Sequence, residues 1–314
     1  MIESGKQKLI VICGPTGIGK TDLSLSLAEA FDGCIVSADS MQIYRYMDIG
    51  TAKPDAGELN RVPHYMIDIV DPDESYDAAQ FYREGRQAIA QIHGRQQVPF
   101  IVGGTGFYIK ALLHGLFEAK PVDPVILDRL RNEADAVGIQ VLYERLLACD
   151  PEAASKIHVN DAYRVIRALA VFEMSGKPMS QYQQAHGFAE SPFDMLKICL
   201  FNDREALYDR IDRRVDQMVS DGLLEEVKKL IGMGYTEKLR PMQAIGYRHM
   251  IDFISGRMPW DETIELLKRD TRRFAKRQLT WFRKDKEMIW KAAGEVDDIM
   301  ELVRKFLGGY VENF

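Results

Sequence analysis

Gly14-Pro15-Thr16-Gly17-Ile18-Gly19-Lys20-Thr21 decides the fold of this 314-residue chain. The octet fits the phosphate-loop pattern Gly-x-x-x-x-Gly-Lys-Thr at every required position. An apolar run, Leu9-Ile10-Val11-Ile12-Cys13, leads into it and reads as a buried strand. Leu23, Leu25, Leu27 and Ala28 follow among polar residues and predict a helix. Glycines let backbone wrap an anion without Cβ clashes, and successive N–H groups at a helix start point at it. Lys20 supplies a point charge for phosphate oxygens, and the Thr21 hydroxyl is placed to ligate Mg2+. The ligand is therefore a polyphosphate or a diphosphate. The loop alone does not say which, or what becomes of it.

Outward from the loop, strand patterns at 9–13, 34–37, 64–70 and 99–102 alternate with helical patterns at 20–31, 78–91 and 106–113. That alternation is the signature of a parallel α/β sheet. Residues 117–193 carry no strand pattern and three helical ones, at 124–137, 141–148 and 162–175, punctuated by Gly138, Asp150-Pro151 and Gly176-Lys177-Pro178. A strand at 196–201 resumes the α/β pattern. One long helical stretch at 204–231 follows, with a bend expected at Gly222, then a strand at 288–290 and a helix at 296–307. The expected fold class is α/β, a phosphate-loop NTPase-like parallel sheet core (residues 1–116 and 195–314) with an all-helical insertion domain at 117–194.

A composition 46% hydrophobic and 28% charged is that of a packed globular protein. No apolar run reaches membrane-spanning length, and the N-terminus lacks the basic-then-apolar layout of a secretion signal. Cys13, Cys34, Cys149 and Cys199 form no CxxC pair, so neither disulfides nor a structural zinc are expected. These features predict a cytoplasmic protein without a membrane partner. The net charge of −6 argues weakly against nucleic acid, yet nine cations lie between Lys268 and Lys286 against only Asp270 and Asp285. Phe274, Trp281 and Phe282 are interleaved with them. On a helix, Arg269, Arg272, Arg273, Lys276 and Arg277 share one broad face, which suits either solvent or a phosphate backbone.

Asp39 stands just past the second predicted strand, on the sheet edge where ligands bind in open α/β folds. It is placed to bind Mg2+ through water, to take a proton from a nucleophile, or simply to hold a turn. The fourth strand ends in Gly103-Gly104-Thr105-Gly106, where a phosphate-loop ATPase would carry a metal-ordering aspartate. Those glycines suit close approach by a ligand or RNA backbone, or a tight turn. Asp68 is left as a stand-in for the missing carboxylate. The base-reading signature Asn-Lys-x-Asp is absent, which argues against a guanine-nucleotide switch.

Several further segments carry a family resemblance. Beyond the phosphate loop they are Ser37-Ala38-Asp39-Ser40-Met41-Gln42-Ile43-Tyr44 and Met47-Asp48-Ile49-Gly50-Thr51-Ala52-Lys53-Pro54. Val62-Pro63-His64-Tyr65, Val102-Gly103-Gly104-Thr105-Gly106-Phe107-Tyr108 and Asn160-Asp161-Ala162-Tyr163-Arg164-Val165-Ile166-Arg167-Ala168-Leu169 follow, and then Gln243-Ala244-Ile245-Gly246-Tyr247-Arg248. In this order, over nearly the whole chain, they resemble the bacterial tRNA dimethylallyltransferases, also called tRNA isopentenyltransferases or the IPP transferase family. The resemblance implies transfer of a dimethylallyl group from dimethylallyl diphosphate to N6 of the adenosine 3′ of the anticodon. The tRNAs concerned read codons that start with U, and the products are N6-dimethylallyladenosine and diphosphate. It also implies that the helical insertion clasps the anticodon stem-loop and that the loop grips the prenyl diphosphate without needing to hydrolyse ATP; a monomer is expected.

By the same resemblance Gly14 to Thr21 hold the diphosphate, Thr21 and Mg2+ support it, and Thr16 orients the donor. Asp39 receives the N6 proton. Arg213, with Arg214 second, is expected at the bridging oxygen. Asp39, Ser40, Met41, Gln42 and Thr105 match segments that contact tRNA, as do Tyr163, Arg164, Val165, Ile166 and Arg167 and the run Gln243, Ala244, Ile245, Gly246, Tyr247 and Arg248. From the residues alone, Arg164 and Arg167 stand i,i+3 on a helix and can grip adjacent phosphates or form an ordinary basic face. Two other functions share parts of this pattern. A small-molecule kinase would use the same loop and core, and a non-catalytic RNA-binding protein would bind tRNA without chemistry.

Overall fold

The computed structural model describes residues 6–116, 123–187 and 192–308. It divides into two compact units, one of residues 1–113 with 191–314 and one of residues 114–190.

The first unit is built on a parallel sheet. Its strands are β1 (Gln7–Cys13), β2 (Gly33–Ser37), β3 (His64–Tyr65), β4 (Val98–Gly103), β5 (Phe193–Phe201) and β6 (Ile289–Ala292), in the order β3-β2-β4-β1-β5-β6. Alternate residues of β1 face opposite sides. Leu9, Val11 and Cys13 enter one apolar cluster with Phe81, Ile89 and Leu112, while Ile10 and Ile12 enter another with Leu25, Phe100 and Ile211. Burial on both faces explains why β1 reads as a continuous apolar run.

Between β1 and β4 run the helices α1 (Lys20–Ala30), α2 (Ala56–Arg61) and α3 (Ala78–Gly94); α4 (Gly106–His114) follows β4. The second unit contains, among the described residues, helices α5 (Pro124–Val137), α6 (Ile139–Cys149), α7 (Pro151–Lys156), α8 (Ala162–Ser175) and α9 (Met179–His186). They close on Leu130, Leu142, Leu146, Val165 and Leu169. Back in the first unit come α10 (Arg204–Ser220), α11 (Leu223–Gly232), α12 (Tyr247–Ile254), α13 (Trp260–Phe282) and, after β6, α14 (Val296–Gly308).

Two expected elements differ. The strand expected at 64–70 stops at Tyr65, because Met66 and Asp68 take φ of 66° and 54° and cannot continue an extended chain. Ile69 and Val70 bond instead to the carbonyl of Ile43, and Asp68 to that of Gln42. The helix expected at 204–231 is broken rather than bent. Gly222, at φ 101°, caps α11 in a left-handed conformation and starts a new helix. No described helix is long and apolar enough to cross a membrane, and all four cysteines are free thiols.

Candidate active site

The strand order sets the site. The carboxyl end of β4 lies between those of β1 and β2, so the turn after Gly103 stands between the phosphate loop and Asp39. A crevice at this edge of a parallel sheet is the usual ligand position.

The loop after β1 is shaped by Gly14, Gly17 and Gly19, at φ 149°, 78° and 99°. A Cβ at Gly14 would also lie 2.8 Å from the Leu200 carbonyl. Arg210 of α10 donates from Nε to the Gly17 carbonyl at 3.0 Å and closes the loop from outside. Lys20 folds back over the loop, its Nζ donating to the carbonyls of Gly14 (3.0 Å) and Pro15 (2.8 Å). Burial lowers its pKa to about 8, with Arg214 adding to the shift and Asp39 opposing it. An ammonium so poised gains an oxyanion partner readily. Burial likewise lowers the pKa of Arg214, against the field of Asp39.

Lys20, Arg214 and Asp39 therefore lie within one another's electrostatic reach. Arg213 is exposed and turns its Nε to the Asp209 carbonyl of its own helix, 3.3 Å away. Arg214, the next residue, is half-buried, because successive helical residues point about 100° apart.

Asp39 accepts the Met41 N–H at Oδ1, 2.8 Å away, which fixes the carboxylate plane. The next residues are held by the β4 turn. Thr105 takes the Ser40 N–H on Oγ1 at 3.0 Å and gives its own N–H to the Ala38 carbonyl at 3.1 Å. Gln42 spans the Ser37 hydroxyl (2.9 Å) and the Ala52 carbonyl (3.1 Å), so its amide is already committed to protein. The Met47–Pro54 segment is pinned from below by Glu226, a buried carboxylate on α11. It accepts the N–H groups of Asp48 (2.9 Å), Ile49 (2.8 Å) and Gly50 (3.1 Å), and the Tyr247 hydroxyl at 2.7 Å. Asp68, the proposed stand-in carboxylate, pairs with the buried Lys53 at 2.6 Å and so staples that same segment.

Of the two readings of the glycines from Gly103 onward, ligand approach or a tight turn, the internal packing supports the turn. A Cβ at Gly103 would strike the Ala38 carbonyl, one at Gly104 the Gln278 amide, and one at Gly106 the Trp281 ring. The Ala38 backbone occupies that space at Gly103, and helix α13 occupies it at Gly104 and Gly106. Nothing in the sequence flagged Gln278, whose two partners lie 262 and 174 residues away. Trp281 also meets Phe107 edge-on at 6.4 Å, leaving both rings partly exposed beside the turn.

Among the expected tRNA contacts, Tyr247 is fully buried on Glu226 and its side chain does not reach the surface. Gln243 and Arg248 are exposed, and Arg248 pairs with Asp270 at 2.5 Å. In the second unit Tyr163 is 60% exposed and Arg164 exposed, Arg167 is half-buried, and Val165 and Ile166 are buried in that unit's core. Five consecutive residues of a helix cannot share one face. The basic run of α13 is also divided. Arg272 (2.6 Å to Asp212) and Lys268 (2.7 Å to Asp216) fasten it to α10, while Arg269, Arg273, Lys276 and Arg277 remain exposed.

No group of three or more His, Cys, Asp or Glu side chains among the described residues is arranged to hold a metal. Thr21, half-buried in the first turn of α1, and Asp39 supply one hydroxyl and one carboxylate. That sparse donor set fits Mg2+ carried mainly by phosphate oxygens and water, the usual mode for this ion.

The family model described as IPP transferase matches residues 42–285, and that described as isopentenyl transferase matches residues 7–75. The chain is 52% identical to the tRNA dimethylallyltransferase of Desulfosudis oleivorans, covering 96% of each chain. It is 47% identical to that of Geobacter sulfurreducens, covering 96% of this chain and 98% of the other. The crystal structure of a tRNA isopentenylpyrophosphate transferase from Bacillus halodurans superposes with a TM-score of 0.72 at 42% identity, covering 97% and 96% of the two chains. A eukaryotic dimethylallyltransferase acting on tRNA gives 0.82 at 30% identity, covering 98% of this chain and 80% of the other. Relatives this similar over nearly full length, with a phosphate loop and an aspartate at one sheet edge, place this chain in the IPP transferase family.

Proposed function

We propose that this protein transfers a dimethylallyl group from dimethylallyl diphosphate to N6 of the adenosine 3′ of a tRNA anticodon. The observation that carries the reading is the mutual arrangement of Lys20, Arg214 and Asp39. Lys20, folded over the phosphate loop, and the partly buried Arg214 both feel the field of Asp39, whose Oδ1 is held by the Met41 N–H. A kinase would need a phosphoryl acceptor and a strand-end carboxylate where this chain has Gly103. A pure RNA-binding protein would need neither the loop nor its lysine.

In this reading the core is phosphate-loop NTPase-like, with residues 117–194 as a helical insertion for the anticodon stem-loop. An adenine amine is a weak nucleophile, so catalysis rests on stabilising the leaving group and aiming the amine. The loop N–H groups and Lys20 hold the diphosphate, and Arg214 meets charge developing on the bridging oxygen as the allylic C–O bond breaks. Asp39, with Oδ1 fixed by Met41, presents its other oxygen to N6 and takes the proton as the N–C bond forms. Thr16 is assigned to donor alignment. Mg2+, when bound with the donor at Thr21, supplies further charge neutralisation on the diphosphate. The adenosine must leave its stack to enter the crevice, at about a few kcal/mol, which favours an unpaired loop as substrate. The exposed cations of α13 suit the tRNA backbone.

The test is nucleoside mass spectrometry of unmodified tRNA incubated with the pure protein, Mg2+ and dimethylallyl diphosphate. One dimethylallyl group gained on adenosine is expected. Phosphoryl transfer from ATP, with no prenyl gain on tRNA that binds, would move the assignment to a kinase.

A further inference from the structure

Gln278 is 7% exposed and sits in α13 between the two lips of the crevice. Its Oε1 accepts the Thr16 N–H at 2.9 Å, and its Nε2 donates to the Gly104 carbonyl at 2.9 Å. The amide orientation follows from its partners, since one is a donor and the other an acceptor. Gly104 in turn adjoins Thr105, whose hydroxyl holds the Ser40 N–H and with it the end of the Asp39 segment. Hydrogen bonds joined by the Gly104–Thr105 peptide thus run from the phosphate loop through Gln278 to the residue after Asp39.

We propose that Gln278 is a positioning residue that couples donor and acceptor sites, setting the separation between the bound diphosphate and the Asp39 carboxylate. The proposal rests on the prenyl-transfer reading. Its logic is chemical. The position needs an acceptor for Thr16 and a donor for Gly104 on one side chain, and glutamine has both. A glutamate of the same shape would face the Gly104 carbonyl with a carboxylate. A methionine of similar length would leave both backbone groups unpaired in a buried site. The steric fit agrees, because position 104 must be glycine for this amide to enter. Rate depends steeply on the near-attack geometry of carbon and amine, so a small opening between the lips costs turnover before it costs affinity.

The experiment compares wild type with Gln278→Glu and Gln278→Met. Its readouts are thermal unfolding, separate dissociation constants for dimethylallyl diphosphate and unmodified tRNA, and single-turnover transfer with both saturating. Coupling predicts affinities within about threefold of wild type and a transfer rate at least tenfold lower in both variants. In unsubstituted protein, inorganic diphosphate with Mg2+ should slow amide exchange at Ser40, Met41 and Thr105, none of which lies in the loop. A wild-type transfer rate in either variant overturns the proposal. So does a rate loss matched by equal losses in both affinities, the mark of a general structural role. Unchanged exchange at those three amides overturns it even if the variants do not fold. An inactive wild type instead sinks the transferase reading, so the two failures are told apart.

Discussion

Gly14, Gly17 and Gly19 adopt φ of 149°, 78° and 99°, whereas Gly103, Gly104 and Gly106, in the neighbouring turn, stay outside the left-handed region. In the first turn glycine is required by the backbone path that aims N–H groups inward. In the second it is required by what packs on top, namely the Ala38 carbonyl, the Gln278 amide and the Trp281 ring. Two similar sequence signals thus have different physical origins. One turn is a cradle, and the other is a clamp held by α13.

That contrast breaks most sharply through Lys20. Replacing it with alanine removes a charge-assisted contact of the cradle and nothing of the clamp. Diphosphate affinity measured by calorimetry should fall by about a hundredfold, with tRNA affinity unchanged. An unaltered diphosphate affinity would remove the loop from donor binding.

Double substitutions sharpen the comparison next. Gly106→Ala should destabilise by about 1–3 kcal/mol through overpacking, and Trp281→Ala in the same chain should recover most of it. Gly17→Ala should cost about 1 kcal/mol through its positive φ. Trimming Ile211, which a Cβ there would approach at 3.0 Å, should not restore it. Chemical denaturation of both pairs decides. Equal rescue in the two turns would mean that both are steric.

The smallest expected effect concerns pH. Lys20 titrates at about 8 in the free protein, so diphosphate binding should weaken several-fold as pH rises through that value. Its native pKa lies below that of an unfolded lysine, so the unfolded chain holds the extra proton between the two. Stability of the free protein should therefore rise with pH above about 8. Lys20→Arg should flatten the binding profile, since arginine keeps its charge throughout.

How much of this was legible depends on distance along the chain. The loop with its strand and helix, and the bounds of α5 and α8, follow from local patterns of apolar residues and caps. Which of Arg213 and Arg214 is the more buried did not, because only the packing of α10 decides it. Val165, Ile166 and Tyr247 sit in contiguous family segments, yet helical geometry and Glu226 turn them inward. Gln278 was hidden within a run of cations, since its meaning comes from two backbone groups far away in sequence.

Single-turnover prenyl transfer by Asp39→Asn, with donor and tRNA saturating, isolates the proton acceptor. Asparagine keeps the side-chain oxygen that accepts the Met41 N–H but cannot take a proton. The rate should fall by at least about a hundredfold, with both affinities within a few-fold of wild type. A rate near that of wild type would contradict the assignment of Asp39 as the base and, with it, the chemistry placed in this crevice.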